Sequence, residues 1–172
     1  MGLTFEMDPE LTPELRDQVV SVWTDVSNAD GAVGFVPPVA EDDVRPTAEK
    51  HFAAMAAGRT RLLAAWDGDK LVGTAFFSFN DHPLMTHWCW LYTVMLHPSR
   101  QGEGEGSRLL REAERQGRRM GLESFRLTCR GGTGLERFYA SVGYREVGRV
   151  PAAIRVAPGD DRDDVMMWLD LR

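Results

Sequence analysis

The sequence predicts an α/β fold in which a central sheet of six to seven strands is flanked by about four helices. Segments with strand and helix patterning follow one another in the order β-α-α-β-β-β-α-β-α-β-β. A glycine-rich turn at residues 97–106 joins an apolar strand to an amphipathic helix. At 172 residues the chain is long enough for one core, so we expect a single domain spanning residues 1–172.

The first part of the chain is predicted to contain a weak strand and a helix. Residues 3–5 favour the strand. Thr12 suits the N-cap of the helix, and Pro13 suits its first position because no N–H is needed there. The apolar face of the helix consists of Leu15, Val19, Val22, Trp23 and Val26. A loop is expected over residues 27–35.

The second helix and a hairpin come next. The helix is predicted to begin at Asp43 or Thr47 and to end before Gly58, a residue that favours helix termination. Residues 61–66 and 70–80 are apolar runs joined by an Asp-Gly-Asp turn, which is typical of a β-hairpin. Both helices have apolar faces, which a sheet would cover.

Six further elements are expected in the second half of the chain. They are a strand at residues 86–96, a helix ended by Gly121, a strand at 125–128, a helix at 135–142 with Gly143 at its C-cap, and strands at 144–150 and 165–171 separated by a loop at 152–164.

Composition restricts the classes of partner. Hydrophobic residues make up 43% and charged residues 27% of the chain, as in ordinary globular proteins, and the net charge of −6 argues against nucleic acid and favours a cationic substrate. No apolar run is long enough to span a membrane, and residues 1–10 lack a signal-peptide core, so we expect a cytoplasmic protein without a membrane partner. Cys89 and Cys129 lack metal-ligand spacing and are expected to be free thiols, with no metal bound.

The glycine-rich turn predicts an anion site. Gly102, Gly104 and Gly106 stand at alternate positions, where they allow backbone conformations closed to other residues and a close approach of a ligand. The first N–H groups of the following helix have no intrahelical acceptor, and the helix dipole adds about half a positive charge there. Phosphate is the natural ligand of such a site.

Two common phosphate-binding motifs do not fit this turn. A Walker loop requires Lys followed by Ser or Thr after the glycines, and none follows here. A dinucleotide fingerprint counted from Gly102 would place Ser107 at its third glycine, and that motif normally opens a βαβ unit early in its domain.

The turn does fit Gln101-x-x-Gly104-x-Gly106, which resembles the pyrophosphate-binding signature of the GNAT superfamily of acyl-CoA N-acyltransferases. A second GNAT signature is resembled about thirty residues later by Phe138-Tyr139-x-x-x-Gly143-Tyr144. The order of the elements is also that of the GNAT fold, so the resemblance covers nearly the whole chain. It implies a mixed sheet whose two central parallel strands splay apart and hold coenzyme A (CoA).

The resemblance also implies which residues hold acetyl-CoA, the expected cosubstrate. The backbone of Val94 and Leu96 should pair with the pantetheine amides, and an N–H near Val94 or Met95 should polarise the thioester carbonyl. The pyrophosphate should lie on the backbone N–H groups of the glycine-rich turn. The predicted cofactor-binding set is Val94, Met95, Leu96, Gln101, Gly102, Glu103, Gly104, Glu105, Gly106, Ser107 and Tyr139.

Glu103 and Glu105 depart from the family pattern, which usually has a basic and an aliphatic residue at these places. A carboxylate about 6 Å from a phosphate costs roughly 3 kcal/mol at an effective dielectric near 20, and under about 1 kcal/mol in water. We therefore expect weaker CoA binding, partly offset by neighbouring arginines. Glu105 could alternatively stabilise the first turn of its helix.

Tyr139 and His87 are the candidate catalytic residues. Tyr139 stands where the family places a general acid that protonates the CoA thiolate; the alternative is an aromatic core residue. Many relatives carry a glutamate base on the strand at residues 86–96, where this chain has no carboxylate. His87 is the candidate base there, and deprotonation through water without a dedicated base is the alternative.

The acceptor pocket implied by the resemblance combines aromatic residues with a few carboxylates. The expected substrate-binding residues are Asn28, Asp30, Phe35, Trp88, Trp90 and Tyr92, together with the loop at residues 152–164. Apolar walls with an anionic group suit a small amine. Asp25 and Asp30 are the carboxylates to test. The segment at residues 31–35 resembles the tabtoxin-resistance branch, whose members acetylate an amino-acid-like toxin.

The sequence therefore predicts an acetyl-CoA-dependent N-acetyltransferase that acts directly on the primary amine of a small molecule such as an antibiotic, toxin or amino-acid derivative. Two alternatives stay open: a protein N-terminal or lysine acetyltransferase, and a non-catalytic CoA-binding module. A homodimer is compatible with the sequence.

Overall fold

The computed structural model describes residues 2–172 and has, in that part of the chain, one seven-stranded sheet and four α-helices. The elements are β1 (Thr4–Met7), α1 (Pro13–Asn28), α2 (Glu41–Ala56), β2 (Thr60–Asp67), β3 (Lys70–Phe79), β4 (Trp88–Leu96), α3 (Glu105–Arg119), β5 (Ser124–Arg130), α4 (Leu135–Ser141), β6 (Arg145–Ala157) and β7 (Asp160–Asp170). Their number and order confirm the predicted α/β fold.

The sheet has the strand order β1-β2-β3-β4-β5-β7-β6, and only the β4–β5 pair is parallel. Alternate residues of β2 enter two different cores: Leu62 packs with α1 and α2, whereas Leu63 packs with α3. The helices thus cover both faces. Cys89 and Cys129 are free and buried on the α3 side, and burial raises the pKa of the Cys89 thiol to about 12.

The parallel strands are paired only over their first residues. Trp88, Cys89 and Trp90 lie opposite residues 124–126, and no register pair follows between β4 and β5. The later part of β4 contains a bulge, because Thr74 pairs with Met95 while Phe76 pairs with Tyr92. The strands therefore separate toward their carboxyl ends, which is the splayed geometry that the resemblance implied.

Two helix boundaries differ from the sequence prediction. Helix α1 continues to Asn28, because the Ser27 hydroxyl donates to the Trp23 carbonyl at 2.8 Å and is satisfied inside the helix. Helix α2 begins at Glu41, because the Asp43 carboxylate accepts a hydrogen bond from the Ala40 N–H at 2.8 Å and fixes the first turn.

The predicted loop at residues 152–164 is wrong, since these residues continue β6 and β7 as a long hairpin. Only Pro158 and Gly159 form its turn, and Gly159 has a φ of +78°. Most of β6 is exposed on both faces, so an apolar alternation that would indicate a strand is missing. The Arg155 guanidinium instead donates two hydrogen bonds across the hairpin to Asp161, at 2.6 and 2.8 Å.

Candidate active site

A cavity of about 1010 Å³ opens where β4 and β5 separate. Its walls come from the loop after α1, the middle of α2, the two separated strands, the start of α3, the short α4 and the outer part of the β6–β7 hairpin. The predicted cofactor-binding residues that line it are Val94, Met95, Leu96, Gln101, Gly102, Gly104, Gly106, Ser107 and Tyr139.

The glycine-rich turn presents the start of α3 to this cavity. Gly104 is the N-cap of α3 with a φ of +79°, and Gly102 has a φ of +81°. No atom lies within 4 Å of a Cβ added at either position, so this side of the turn is open to a ligand. The Gln101 side chain donates to the Leu96 carbonyl at 2.7 Å and ties the turn to the end of β4. The geometry suits an anion at the first turn of α3.

Gly106 serves packing as well as the turn. A Cβ at this position would lie 3.2 Å from Cζ of Phe138 in α4, which is tighter than ordinary contact. The small residue therefore lets α4 approach α3 at the edge of the cavity. Phe138 also lines the cavity, and its ring centroid is 5.4 Å from that of Tyr139.

The two glutamates of the turn do not line the cavity. Glu105 is buried, and both of its carboxylate oxygens accept hydrogen bonds from Nη1 of Arg108, at 3.0 and 2.7 Å. Arg108 also donates to the Leu3 carbonyl at 3.2 Å, which holds the pair in place. The Glu103 carboxylate is largely exposed and lies 3.9 Å from Nη1 of Arg100. These pairings reduce the repulsion that a bound phosphate would meet.

The β4 bulge places Thr93 and Val94 on the cavity wall. Thr93 has a φ of +49°, which a β-branched residue adopts only under strain. The Thr74 hydroxyl donates to the Thr93 carbonyl at 2.8 Å and holds this conformation. Because Thr93 and Val94 have no register partner on β3, their backbone is turned out of the ladder beside the cavity. This is the region where the sequence predicted a donor for the thioester carbonyl.

Tyr139 lies on the cavity wall between two other aromatic rings. It is 6% exposed, and the ring centroids of Phe138 and Tyr144 are each 5.4 Å away. Burial raises the pKa of its phenol above the usual value near 10, and the nearby Cys129 adds to the shift. The phenol thus stays protonated at neutral pH, as a general acid requires.

His87 lies outside this cavity. It is exposed and precedes β4, and its backbone carbonyl accepts a hydrogen bond from the Glu123 N–H at 2.8 Å. That pairing belongs to the opposite end of the strands from the glycine-rich turn, so the placement does not suit His87 as the base for the cavity.

A different histidine, His51 of α2, lines the cavity. Nε2 of its ring is 3.1 Å from the Thr93 hydroxyl, and Nδ1 is 3.3 Å from the Thr47 carbonyl. His51 was not among the residues predicted from the sequence. The available signal was its position between Ala48 and Phe52, two buried residues of the inward face of α2.

Only some of the acceptor-binding residues predicted from the sequence line the cavity. Asp30 and Tyr92 line the cavity, whereas Asn28, Phe35, Trp88 and Trp90 do not. Asn28 instead bonds both backbone groups of Val39 through its side-chain amide.

The rings of Trp88 and Trp90 belong to an aromatic group on the sheet. Trp88 lies beside Trp168, and the Arg126 guanidinium stacks on the Trp90 ring at 4.3 Å. Phe35 contacts the edge of Trp23. Trp88 and Trp90 lie on the part of β4 that is still paired with β5, whereas Tyr92 lies beyond the last register pair, where the strands have separated.

Several wall residues come from elements that were predicted as loop or missed. Ile154, Arg155, Val156 and Asp164 line the cavity from the β6–β7 hairpin. Asp25, which the sequence suggested for testing, is not on the wall and lies 3.3 Å from Nε2 of His97. Within residues 2–172 no cluster of three or more potential metal ligands is found, and no helix has the length and apolarity to cross a membrane.

Comparisons with known proteins agree with this geometry. Three solved structures share the fold: a protein provisionally assigned as a phosphinothricin N-acetyltransferase, a provisionally assigned acetyltransferase from Salmonella typhimurium solved with its cofactor acetyl-CoA, and the ribosomal-protein-S18-alanine N-acetyltransferase from Escherichia coli. They are 19%, 17% and 18% identical, with TM-scores of 0.79, 0.76 and 0.70. The matches cover 99%, 100% and 98% of this chain and 99%, 95% and 94% of those chains.

At these identities the likeness to solved structures shows the fold alone. No curated protein matches the chain. The sequence profile of the acetyltransferase (GNAT) family matches residues 22–144, which is well over half of the 172 residues. Together with the two signatures and the splayed strands, this match shows that the chain belongs to the acetyltransferase (GNAT) family of acyltransferases.

Proposed function

We propose that this protein transfers the acetyl group of acetyl-CoA directly to the primary amine of a small molecule. The observation that carries the proposal is one continuous cavity, which is lined both by the start of α3 and by the loop after α1 and the β6–β7 hairpin. Family membership supports acetyl-CoA as the donor. The Salmonella typhimurium structure with the same fold contains acetyl-CoA, which agrees with this assignment.

The donor end fits the parts of CoA. The open turn around Gly102 and Gly104 and the dipole of α3 suit the pyrophosphate. The unpaired backbone of Thr93 and Val94 suits pantetheine and offers N–H groups for the thioester carbonyl. As the amine attacks that carbonyl carbon and the C–S bond breaks, the phenol of Tyr139 supplies the proton taken by the thiolate.

The acceptor end favours a compact substrate. The loop after α1 is held over the cavity, because Trp23 Nε1 donates to the Val33 carbonyl at 2.8 Å and the Gly31 N–H donates to the Val26 carbonyl at the same distance. The β6–β7 hairpin lines the opposite wall. Asp30 and Asp164 on these walls would attract an ammonium group. The related fold of a provisionally assigned phosphinothricin N-acetyltransferase agrees with an amino-acid-like acceptor.

Acetylation of a protein N-terminus is the second candidate, since the Escherichia coli ribosomal-protein-S18-alanine N-acetyltransferase has the same fold. Thiol release from acetyl-CoA should be measured with small amines, N-terminal peptides and lysine peptides in parallel. We expect the highest kcat/KM for a small amine. Activity confined to peptides would replace the proposal with protein acetylation, and CoA binding without thiol release would indicate a non-catalytic module.

A further inference from the structure

His51 and Thr93 form a hydrogen-bonded pair at the acceptor side of the cavity, and both residues line it. The hydrogen-bond partners favour one form of the imidazole. The Thr47 carbonyl can only accept, so its 3.3 Å contact with Nδ1 is a hydrogen bond when Nδ1 carries the proton. Nε2 is then unprotonated and accepts the Thr93 hydroxyl proton at 3.1 Å. The basic nitrogen of His51 is therefore directed at the strained residue of the β4 bulge.

We propose that His51, acting through the Thr93 hydroxyl, accepts the proton that the acceptor amine loses during acetyl transfer. This inference rests on the proposed function and assigns a proton acceptor to the same site. His51 is a positioning residue in this scheme, because the hydroxyl of Thr93, not the imidazole, meets the substrate.

The proton balance is complete without another reactant. A neutral amine attacks the thioester carbonyl, and a C–N bond forms while the nitrogen becomes positively charged and strongly acidic. The amine proton moves to the Thr93 oxygen as the hydroxyl proton moves to Nε2 of His51. The C–S bond breaks with its electron pair on sulfur, and Tyr139 protonates the thiolate. The imidazolium then returns its proton to the phenolate through solvent.

The surroundings of His51 keep it uncharged before this step. The rings of Trp23 from α1 and Phe76 from β3 contact it edge-on, with centroids 5.4 and 4.7 Å away, and β4 contributes the uncharged Thr93. Burial lowers the pKa of His51 from its usual 6.5, against a smaller opposing effect of the Thr47 carbonyl.

The charged groups that share the cavity are Asp30 on the loop after α1 and Arg130, Arg155 and Asp164 on β5–β7. Among the described residues, none of these charges contributes to the shift of His51. The base therefore loses its capacity as the pH falls through a pKa below 6.5, and it is competent at neutral pH.

Two measurements test the inference. The first needs no turnover: nitrogen NMR of the wild-type protein should show His51 as the Nδ1–H tautomer titrating below pH 6.5. An Nε2–H tautomer would overturn the inference, because that nitrogen could not accept a proton.

The second measurement is the pH dependence of kcat/KM. An acceptor amine with a pKa near 10 gives a slope of one in the logarithm of kcat/KM against pH, and protonation of His51 should steepen the slope to two at low pH. His51→Gln should keep a slope of one throughout and lose about a hundredfold of kcat/KM near pH 7.5. Thr93→Val should lose a similar factor of kcat/KM, whereas Thr93→Ser should keep the slope of two at low pH because it keeps the hydroxyl. The affinity for acetyl-CoA should stay within about twofold of wild type in His51→Gln, Thr93→Val and Thr93→Ser.

His87→Gln is the matched surface substitution and should reproduce the wild-type profile. If the wild-type protein is active and His51→Gln still shows the slope of two at low pH, this inference is wrong while the proposed function stands. Wild-type protein that binds acetyl-CoA and acetylates no amine would overturn the proposed function together with it.

Discussion

A Cβ atom added at Gly106 would lie 3.2 Å from Cζ of Phe138, so the first turn of α3 packs directly against the Phe138 ring of α4. The glycine-rich turn thus needs glycine at two positions for two different reasons. Gly104 allows the backbone its φ of +79° beside open space, whereas Gly106 allows one helix to pack on another.

This difference predicts a selective rescue. Gly106→Val should displace Phe138 and weaken CoA binding at least tenfold, and adding Phe138→Leu should recover part of that loss by making room. Gly104→Val should weaken binding by a similar factor because the side chain would enter the ligand space and strain a left-handed residue. Phe138→Leu should not rescue it. Calorimetric titration with CoA, with a melting curve for each variant, checks both; equal rescue of the two glycine variants would contradict the assignment.

Glu103 is predicted to restrain the affinity for CoA. Glu103→Lys removes an exposed negative charge from the phosphate-binding turn, so CoA should bind more tightly at low salt and the gain should shrink as salt is added. Glu123→Lys is the control, since Glu123 is exposed at the opposite end of β4 and β5. A loss of affinity in Glu103→Lys that salt does not alter would mean that the carboxylate organises the turn through Arg100.

The Arg108–Glu105 pair is predicted to stabilise the turn that holds the phosphate. Arg108→Met leaves the buried carboxylate of Glu105 without its guanidinium and should cost about 1–3 kcal/mol of unfolding free energy, with a loss of CoA affinity. Glu105→Gln in the same chain removes the charge and should restore much of both. Denaturant unfolding and calorimetry of the two single variants and the double variant measure the coupling; purely additive effects would show that the pair does not act as a unit.

Tyr139 is predicted to act as the general acid. Tyr139→Phe keeps the ring and its packing, so kcat should fall at least tenfold while the melting temperature and the acetyl-CoA affinity stay close to wild type. Because burial raises its pKa, deprotonation of Tyr139 should not lower activity until the pH exceeds about 10.

Tyr144→Phe is the matched control for that experiment. The Tyr144 hydroxyl is buried and, among residues 2–172, has no hydrogen-bond partner, and the residue does not line the cavity. Its removal should leave kcat unchanged and hold or raise the melting temperature. Full kcat in Tyr139→Phe, or equal losses in the two tyrosine variants, would assign Tyr139 a structural role.

The sequence predicted the parts of the site that depend on local backbone chemistry. The glycine spacing identified the turn before α3, and the Phe-Tyr signature identified the helix that carries Tyr139. Both are short-range patterns, in which a few neighbouring residues determine the backbone conformation.

The acceptor side could not be predicted in the same way. The bulge at Thr93 changes which β4 side chains face the cavity. The residue types around Thr93 do not predict a bulge at this position. The outer part of the β6–β7 hairpin, at residues 152–164, was predicted as a loop, because its β6 half has no alternation of buried and exposed residues and the Arg155–Asp161 pair joins the two strands there. His51 approaches Thr93 across forty-two positions of sequence, a contact that only the packing of α2 on the sheet creates.

The most direct test of the central claim is mass spectrometry of the products formed from isotopically labelled acetyl-CoA and a panel of small amines, with wild-type protein and Tyr139→Phe side by side. The proposed function predicts the labelled acetyl group on the nitrogen of at least one small primary amine, formed with equal amounts of free CoA and at least tenfold more slowly by the variant. Label found only on peptides, or no labelled product despite bound acetyl-CoA, would contradict it.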